Sequence, residues 1–201
     1  MKDSIEDRYS RAFPPGTGEP VWRPRLAPPQ YRTPSQLKPW LDEPGSLTKR
    51  LRRYCHGRFG VRVLQEGWGM PALAESRILR LRTQNLGWVR EVLLTCDGHA
   101  CVFARTVMPI GILRGRYRCL RHLGPRPLGS LLFGRDTIRR GPLSMARLAS
   151  GHRLFEQVRR VSETTDPLWA RRSVFHVGDK PLLITEVFLP ALPRQAREGR
   201  Q

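Results

Sequence analysis

Alternation of apolar and polar positions dominates the chain from residue 59 onward and predicts an antiparallel sheet. The strongest run is Gly87–Cys96, which is followed at 97–98 by a two-residue Asp-Gly step that favours a tight hairpin. The partner strand is expected over 100–108. A second hairpin, with its turn at 178–179, follows near the C-terminal end. Hairpin-linked strands mixed with helices are typical of an α+β fold, here a single domain built on an antiparallel sheet.

Weaker patterns predict the remaining elements. Ser46 is expected to cap a helix whose apolar positions Leu47 and Leu51 recur at helical spacing. The segment 153–161 fits a helix or a strand. Further strands are predicted at 59–65 and 76–83, and further short helices at 33–41, 127–133 and 142–150.

Proline divides the chain into three parts. Nine of the eighteen prolines fall before residue 45, and this density is incompatible with a regular helix or a central strand. We therefore expect residues 1–33 to form an extended, basic N-terminal arm. Residues 34–191 are expected to form the domain, and residues 192–201 a polar tail.

The charge of the chain is strongly positive. Its 201 residues include 36 Lys or Arg and 17 Asp or Glu, a formal net charge of +19. No apolar run is long enough for a membrane span, and the charged N-terminus lacks the apolar region of a secretion signal. We therefore expect a cytoplasmic protein. Nucleic acid is the first partner that such a charge suggests, yet no helix-turn-helix, zinc-finger or RNA-recognition signature is present.

The cysteines and histidines indicate no metal site. Cys55, Cys96, Cys101 and Cys119 have no CxxC spacing, and the five histidines have no repeated spacing to them. Cys96 and Cys101 flank the first hairpin turn and could approach each other. Without a secretion signal we expect reduced thiols rather than a disulfide framework.

Two charged residues lie on otherwise apolar strand faces. Arg90 shares its face with Trp88 and Val92, and Glu186 shares its face with Ile184 and Phe188. A charge on such a face needs a partner, because burying an isolated ion is costly. One interpretation is that Arg90 and Glu186 bridge each other across the sheet interior, or that one of the two faces is open to solvent. The other is a closed cavity in which the arginine holds a carboxylate and the glutamate holds a hydroxyl or moves a proton.

Six short stretches of the chain together resemble a known family. They are, in order, SLTKRL (46–51), WVREVLL (88–94), ARTVMP (104–109), RPLGSLLF (126–133), WARRS (169–173) and KPLLITEVFLP (180–190). The family that they resemble is that of the chorismate pyruvate-lyases. The resemblance implies an enzyme that cleaves chorismate to 4-hydroxybenzoate and pyruvate, the first committed step of ubiquinone synthesis in many bacteria. It also implies a six-stranded antiparallel sheet flanked by helices, with the ligand enclosed under helical flaps.

The resemblance also assigns roles to four residues. Arg90 would bind the ring carboxylate of chorismate, and Glu186 would hold the ring hydroxyl with a possible acid or base role. Leu47 and Leu128 would contribute backbone groups from the flaps, although methionine is common in the family at the position of Leu47. No cofactor is implied, and a single compact domain favours a monomer.

Two other functions remain open from the sequence. Basic clusters such as 49–62 would give electrostatic affinity for nucleic acid, without a motif for specific recognition. A related sheet also serves as the effector-binding domain of some bacterial transcription regulators, so a non-catalytic ligand sensor is the second alternative. That alternative requires an attached DNA-binding domain, and residues 1–40 are too rich in proline to form one.

Overall fold

A computed structural model describes residues 18–25, 32–82, 85–132 and 138–193 of the chain. In this part of the chain a single antiparallel sheet of eight strands forms the centre of the molecule, in the order β1-β6-β7-β8-β4-β3-β2, with β5 paired to β7. The strands are β1 (Arg23–Pro24), β2 (Phe59–Gly69), β3 (Gly87–Cys96), β4 (His99–Pro109), β5 (Ile138–Arg140), β6 (Ser144–Leu148), β7 (Leu168–Val177) and β8 (Lys180–Phe188).

Within the described residues, five short α-helices and two 3-10 helices pack on this sheet. The N-terminus of the second α-helix is capped as predicted, because the Ser46 hydroxyl accepts a hydrogen bond from the Lys49 amide at 3.3 Å. The α-helices are α1 (Lys38–Leu41), α2 (Leu47–Tyr54), α3 (Leu73–Ile78), α4 (Leu128–Leu132) and α5 (Arg153–Arg159), and the 3-10 helices are Ile110–Leu113 and Gly115–His122. No helix in the described ranges is long and apolar enough to cross a membrane.

The two predicted hairpins are confirmed and form the centre of the sheet. Asp97 and Gly98 have φ angles of 52° and 86°, the left-handed conformation that a tight turn between β3 and β4 needs. Gly178, with φ of 64°, serves the same purpose between β7 and β8. Pairing of β4 with β8 joins the two hairpins, so the strands that carry Arg90 and Glu186 are separated by β4 alone.

Each face of the sheet is covered by its own helices. The face that bears Arg90 and Val92 is called the front face here; α1 and α2 pack on it through Trp40, Leu41 and Leu51. The opposite, rear face carries Leu93 and Phe103 among its buried residues, and α5 packs on it through Phe155 and Val158. Both faces are therefore internal over the central strands, which explains why β3 is buried almost throughout.

Two predicted elements are wrong in type. The segment 76–83 was expected to be a strand, but α3 occupies its start, where the Glu75 carboxylate accepts a hydrogen bond from the Ala72 amide at 2.8 Å. The segment 142–150 was expected to be a helix, but it forms β6 between β1 and β7. Strand pairing on both sides outweighs the helix propensity of its Met, Ala and Leu residues. The ambiguous segment 153–161 contains helix α5.

The sheet has eight strands where six were expected. Two of the eight are very short: β1 has two residues and β5 has three. Strand β1 comes from residues 18–25 of the predicted arm, which run beside β6 at the edge of the sheet, where proline is tolerated. The other residues of the predicted arm before 32, and the end of the predicted tail after 193, lie outside the described residues.

A disulfide joins Cys55 to Cys96, so the expectation of reduced thiols is wrong for this pair. Cys55 ends α2 and Cys96 ends β3, and the two Cα atoms are 5.3 Å apart. The two cysteines are 41 positions apart in the sequence, so their proximity could not be predicted from local pattern. Cys101, the other cysteine expected near Cys96, is buried and is not part of a disulfide.

Replacing Cys55 with Ser is expected to lower the free energy of unfolding by about 2–4 kcal/mol, because the bond closes a long loop in the unfolded chain. Cys96→Ser and the double variant should lose the same amount, since the bond is lost only once. Urea denaturation measures the effect, with dithiothreitol-treated wild type as a second comparison. Cys119→Ser, at an exposed cysteine outside the disulfide, is the control and should match wild type. Equal unfolding midpoints for Cys55→Ser and wild type would contradict the prediction.

Candidate active site

A cavity lies between the front face of the sheet and the helices α2 and α4. Counted out to its mouth and into the adjoining solvent, the space between its walls is about 550 Å³. All four residues singled out from the sequence line this one cavity. Its lining includes Leu47 and Thr48 of α2, Leu128 and Gly129 of α4, and Arg90, Thr106, Arg140, Arg171 and Glu186 of the sheet.

Arg90 on β3 is only 2% exposed and is held in place from one side. Its Nη2 donates hydrogen bonds to the carbonyl oxygens of Gly124 at 2.8 Å and Arg126 at 3.0 Å, and its Nε lies 3.2 Å from Oε1 of Glu66. Burial lowers the pKa of Arg90, and the nearby Glu66 carboxylate opposes that shift. Among the described residues, Nη1 has no hydrogen-bond partner, which leaves a donor for a ligand carboxylate.

Glu186 on β8 has one oxygen engaged and one available. Its Oε2 accepts a hydrogen bond from Nε of Arg171 at 2.6 Å. Within the described ranges, Oε1 has no hydrogen-bond partner, so it can accept a hydroxyl from a ligand in the cavity. The alternative in which Arg90 and Glu186 bridge each other is wrong, because each has a different ion-pair partner.

The strand register separates Arg90 from Glu186 across the cavity floor. On the intervening strand β4, Thr106 is opposite Arg90, and Ala104 is opposite Glu186. The two charged residues are therefore two strands and two residues apart, about 12 Å between their Cα atoms from standard strand spacings. A small ring with a carboxylate at one end and a hydroxyl at the other spans such a distance between the two side chains.

Arg171 is a cavity residue that the sequence analysis missed. It is 0% exposed, and besides its bond to Glu186 its Nη1 donates to the carbonyl oxygens of Trp40 at 2.8 Å and Glu43 at 2.9 Å. It shares its strand face with Ser173 and Phe175, so the rule that selected Arg90 also fits Arg171. The signal was present in the sequence, inside the WARRS stretch.

Arg140 on β5 is the second missed residue, and the sequence carried no signal for it. Its Nε donates to Oγ of Ser173 at 2.9 Å, and its Nη1 donates to the carbonyl oxygens of Pro44 at 2.9 Å and Gly45 at 3.1 Å. Burial and the positive charge of Arg171 lower its pKa to about 10, so it remains a cation at neutral pH. A three-residue strand shows no periodicity from which its face could be predicted.

Two helices cover the cavity and meet closely. Leu47 begins α2 and Leu128 begins α4, and both side chains are buried. At Gly129 a Cβ atom would lie 3.0 Å from Oγ of Ser46 and 3.3 Å from Oγ1 of Thr48. The missing side chain therefore lets α4 approach the start of α2 and close the roof of the cavity.

The charges lining the cavity favour an anionic ligand. Three arginines, Arg90, Arg140 and Arg171, face a single glutamate, Glu186. Glu66, which pairs with Arg90, offsets part of the positive charge at the far end. The described residues contain no group of three or more His, Cys, Asp or Glu side chains placed to hold a metal ion.

The antiparallel sheet and its covering helices define an α+β fold, and solved structures share that fold. The ligand-binding domain of a GntR-family transcriptional regulator from Bordetella bronchiseptica is similar with a TM-score of 0.50 and 18% identity, over 73% of this chain and 92% of that domain. The C-terminal domain of PhnF is similar with a TM-score of 0.52 and 14% identity, over 66% of this chain and 83% of that domain. At these identities the likeness concerns the fold alone.

Sequence similarity then defines the family. Residues 22–198 match the chorismate lyase family. A protein of Aromatoleum aromaticum named "Probable chorismate pyruvate-lyase" is 43% identical, over 82% of this chain and 90% of its own length. A protein of Azoarcus sp. with the same name is 44% identical, over 89% of this chain and 94% of its own length. This chain belongs to the chorismate lyase family, and the resemblance noted in the sequence is confirmed.

Proposed function

We propose that this protein is a lyase that cleaves chorismate to 4-hydroxybenzoate and pyruvate and so supplies the ring precursor of ubiquinone. The observation that carries the proposal is the covered cavity with Arg90 and Glu186 about two strands apart, in a chain of this family. On this proposal the enzyme acts in the cytoplasm as a monomer, needs no cofactor and has no specific nucleic-acid partner.

The two carboxylates of chorismate match the arginines at the two ends of the cavity, which are Arg90 at one end and Arg140 with Arg171 at the other. Arg90 takes the ring carboxylate through its available Nη1. The hydroxyl at the opposite ring position lies at Glu186 and donates to Oε1. In chorismate the enolpyruvyl ether is on the ring carbon next to the hydroxyl, so its carboxylate falls at the same end, near Arg140 and Arg171. These two arginines lie beside Glu186 in the cavity wall.

The reaction is an elimination that forms an aromatic ring. The bond between the ring carbon and the ether oxygen breaks, the carbon that bears the hydroxyl loses its hydrogen, and the enolpyruvyl methylene gains a proton to become the methyl group of pyruvate. Aromatisation supplies much of the driving force, so a dry, orienting cavity is the main contribution of the protein. Glu186 orients the hydroxyl and is placed to assist the proton transfer.

Incubation of the purified protein with chorismate tests this proposal directly. We expect 4-hydroxybenzoate and pyruvate to form in equal amounts, and chromatography measures both products. A ligand sensor on the same fold would bind chorismate or 4-hydroxybenzoate and release no pyruvate. Folded protein that forms neither product would overturn the proposal.

Glu186→Gln separates proton transfer from positioning. The amide keeps the shape and one acceptor for the hydroxyl but cannot take up a proton, so an acid or base role predicts a fall in kcat of about 100-fold with little change in KM. Steady-state kinetics with chorismate measure the effect, and the exposed Glu163→Gln is the control. A kcat within a few-fold of wild type would exclude proton transfer and leave Glu186 as a positioning residue.

A further inference from the structure

A second cavity lies on the rear face of the sheet, behind the one described above. Its space, counted out to the mouth, is about 1120 Å³. Residues 18–25, α3 and α5 form its outer walls, and strands β3, β4, β7 and β8 form its floor. Side chains that alternate with those of the front cavity reach it: Glu91 next to Arg90, Arg105 next to Thr106, Arg172 next to Arg171 and Thr185 next to Glu186.

One arginine of this rear cavity is already neutralised. Arg105 donates from Nε and Nη2 to the two oxygens of Glu75, at 2.7 and 2.9 Å, and pairs through Nη1 with Glu91. Gln157 of α5 also donates to Glu91. Burial alone would raise the pKa of Glu75, but the charge and hydrogen bonds of Arg105 lower it, so this carboxylate stays ionised and paired. The network closes one side of the cavity and ties α3 and α5 to the sheet.

Arg172, unlike Arg105, forms no ion pair with a glutamate among the described residues. Its guanidinium lies over the ring of Trp22, 4.2 Å from the centroid, and lines the rear cavity. Within the described ranges it has no hydrogen-bond partner and no carboxylate within 4 Å. Burial lowers its pKa to about 10, and the more distant charges of Glu19 and Glu75 oppose that shift. A half-buried cation in a cavity, with its donors unused, is a site for an anion.

The other walls indicate what kind of anion fits. Four arginines, at positions 105, 153, 160 and 172, face three glutamates, at positions 19, 75 and 91. Burial raises the pKa of Glu19, and the nearby charge of Glu75 adds to that shift. The uncharged part of the lining is mixed: it includes the apolar and aromatic residues Phe103, Leu64 and Trp22 as well as the polar residues Gln65, Gln157 and Thr185. The indole N–H of Trp22 is buried and has no acceptor among the described residues, so it is a second donor without a partner.

We propose that the rear cavity is a second ligand site, which binds a small carboxylate with a flat apolar body. The guanidinium of Arg172 takes the carboxylate, and Trp22 and Phe103 contact the apolar body. The site is separate from the front cavity because the sheet lies between the two. Since Arg171 and Arg172 are consecutive on β7, the two sites are back to back on the same strand.

Benzoate titrations of four proteins by isothermal calorimetry test this proposal: wild type, Arg90→Gln, Arg172→Gln and the double variant. Arg90→Gln disables the front cavity, so the benzoate that it still binds reports the rear site. Adding Arg172→Gln to it should weaken that binding at least tenfold. Arg172→Lys keeps the charge and should retain most of the affinity. Arg62→Gln, an exposed arginine of β2 that lines neither cavity, is the matched control and should bind as wild type does.

The outcomes separate this proposal from the lyase proposal. If Arg90→Gln binds no benzoate, or if Arg172→Gln binds as wild type does, the rear site is overturned. If wild type binds one benzoate, Arg90→Gln keeps it and Arg172→Gln loses it, the rear site stands even though the front cavity takes no benzoate. Amide chemical shifts of wild-type protein give a check that needs no variant: benzoate should move the signals of Trp22, Arg172 and Thr185, and unmoved signals would contradict the proposal.

Discussion

Arg90→Gln is expected to lower kcat/KM for chorismate by at least about 100-fold, equivalent to about 3 kcal/mol of lost transition-state binding. The arginine combines three properties in one side chain: it is 2% exposed, it is fixed by the carbonyl oxygens of Gly124 and Arg126, and its Nη1 is available to the cavity. Glutamine removes the positive charge and the paired donors together. The ring carboxylate would then enter a buried site without a cation, which is costly.

The kinetic pattern identifies the role of Arg90. Loss of an anchor that both binds and orients the substrate should raise KM and reduce kcat together. Arg62→Gln on the neighbouring strand β2 is the control for the change of net charge. Arg90→Lys, which keeps the charge but not the planar fork, should fall between wild type and Arg90→Gln. A folded Arg90→Gln protein with the kcat/KM of wild type would show that the carboxylate binds elsewhere.

Arg171→Met is expected to lower the free energy of unfolding by about 3–5 kcal/mol, the range for breaking a buried ion pair. Arg171 is fully buried and joins three parts of the fold: it donates to Glu186 on β8, to the carbonyl oxygen of Trp40 in α1, and to that of Glu43 in the segment leading to α2. Methionine of similar length leaves these acceptors unsatisfied and leaves the Glu186 carboxylate without its cation.

Urea denaturation measures this loss, and a second substitution shows its cause. In the double variant Arg171→Met/Glu186→Leu no buried charge is left without its partner, so part of the stability should return. Arg139→Met, at an exposed arginine on β5, is the control and should change stability by less than about 0.5 kcal/mol. A loss below about 1 kcal/mol for Arg171→Met would mean that water or a local rearrangement satisfies the freed groups.

The sequence was sufficient for the centre of the sheet and for the two residues on which the proposed chemistry depends. Period-two alternation and the turn residues predict both hairpins, because register and turn chemistry are local properties. The same periodicity places Arg90 and Glu186 on apolar faces, and such a position requires a partner or a ligand. The structure brings both residues to one cavity, together with Leu47 and Leu128.

Contacts between distant segments could not be predicted in the same way. The partners of the two charges, Glu66 and Arg171, depend on which strands become neighbours. Strand β6 resembles a helix until its pairing with β1 and β7 is known. The neighbours of Arg140 in the segment before α2 are about 95 residues away in sequence. These contacts follow from tertiary structure, which overrides local propensity.

Several arginines of this basic chain, whose formal net charge is +19, lie inside the fold and not on its surface. Arg90, Arg105 and Arg171 are almost completely buried, and each has a glutamate partner inside the fold. Arg140 and Arg172 each line one of the two cavities. Each ion-paired arginine is matched by a glutamate and adds nothing to the net charge, whereas Arg140 and Arg172 contribute to it from inside the fold.

The disulfide between Cys55 and Cys96 restrains one of the two helices that cover the front cavity. It attaches the C-terminal end of α2 to β3, the strand of Arg90, while Leu47 at the other end of α2 lies over the cavity. Helix α2 is thus covalently held at its C-terminal end, and its N-terminal end, next to Ser46 and Gly129, has no such bond. The disulfide therefore restrains only one end of the helix that roofs the cavity, and the contact between α2 and α4 at Gly129 is made at the other end.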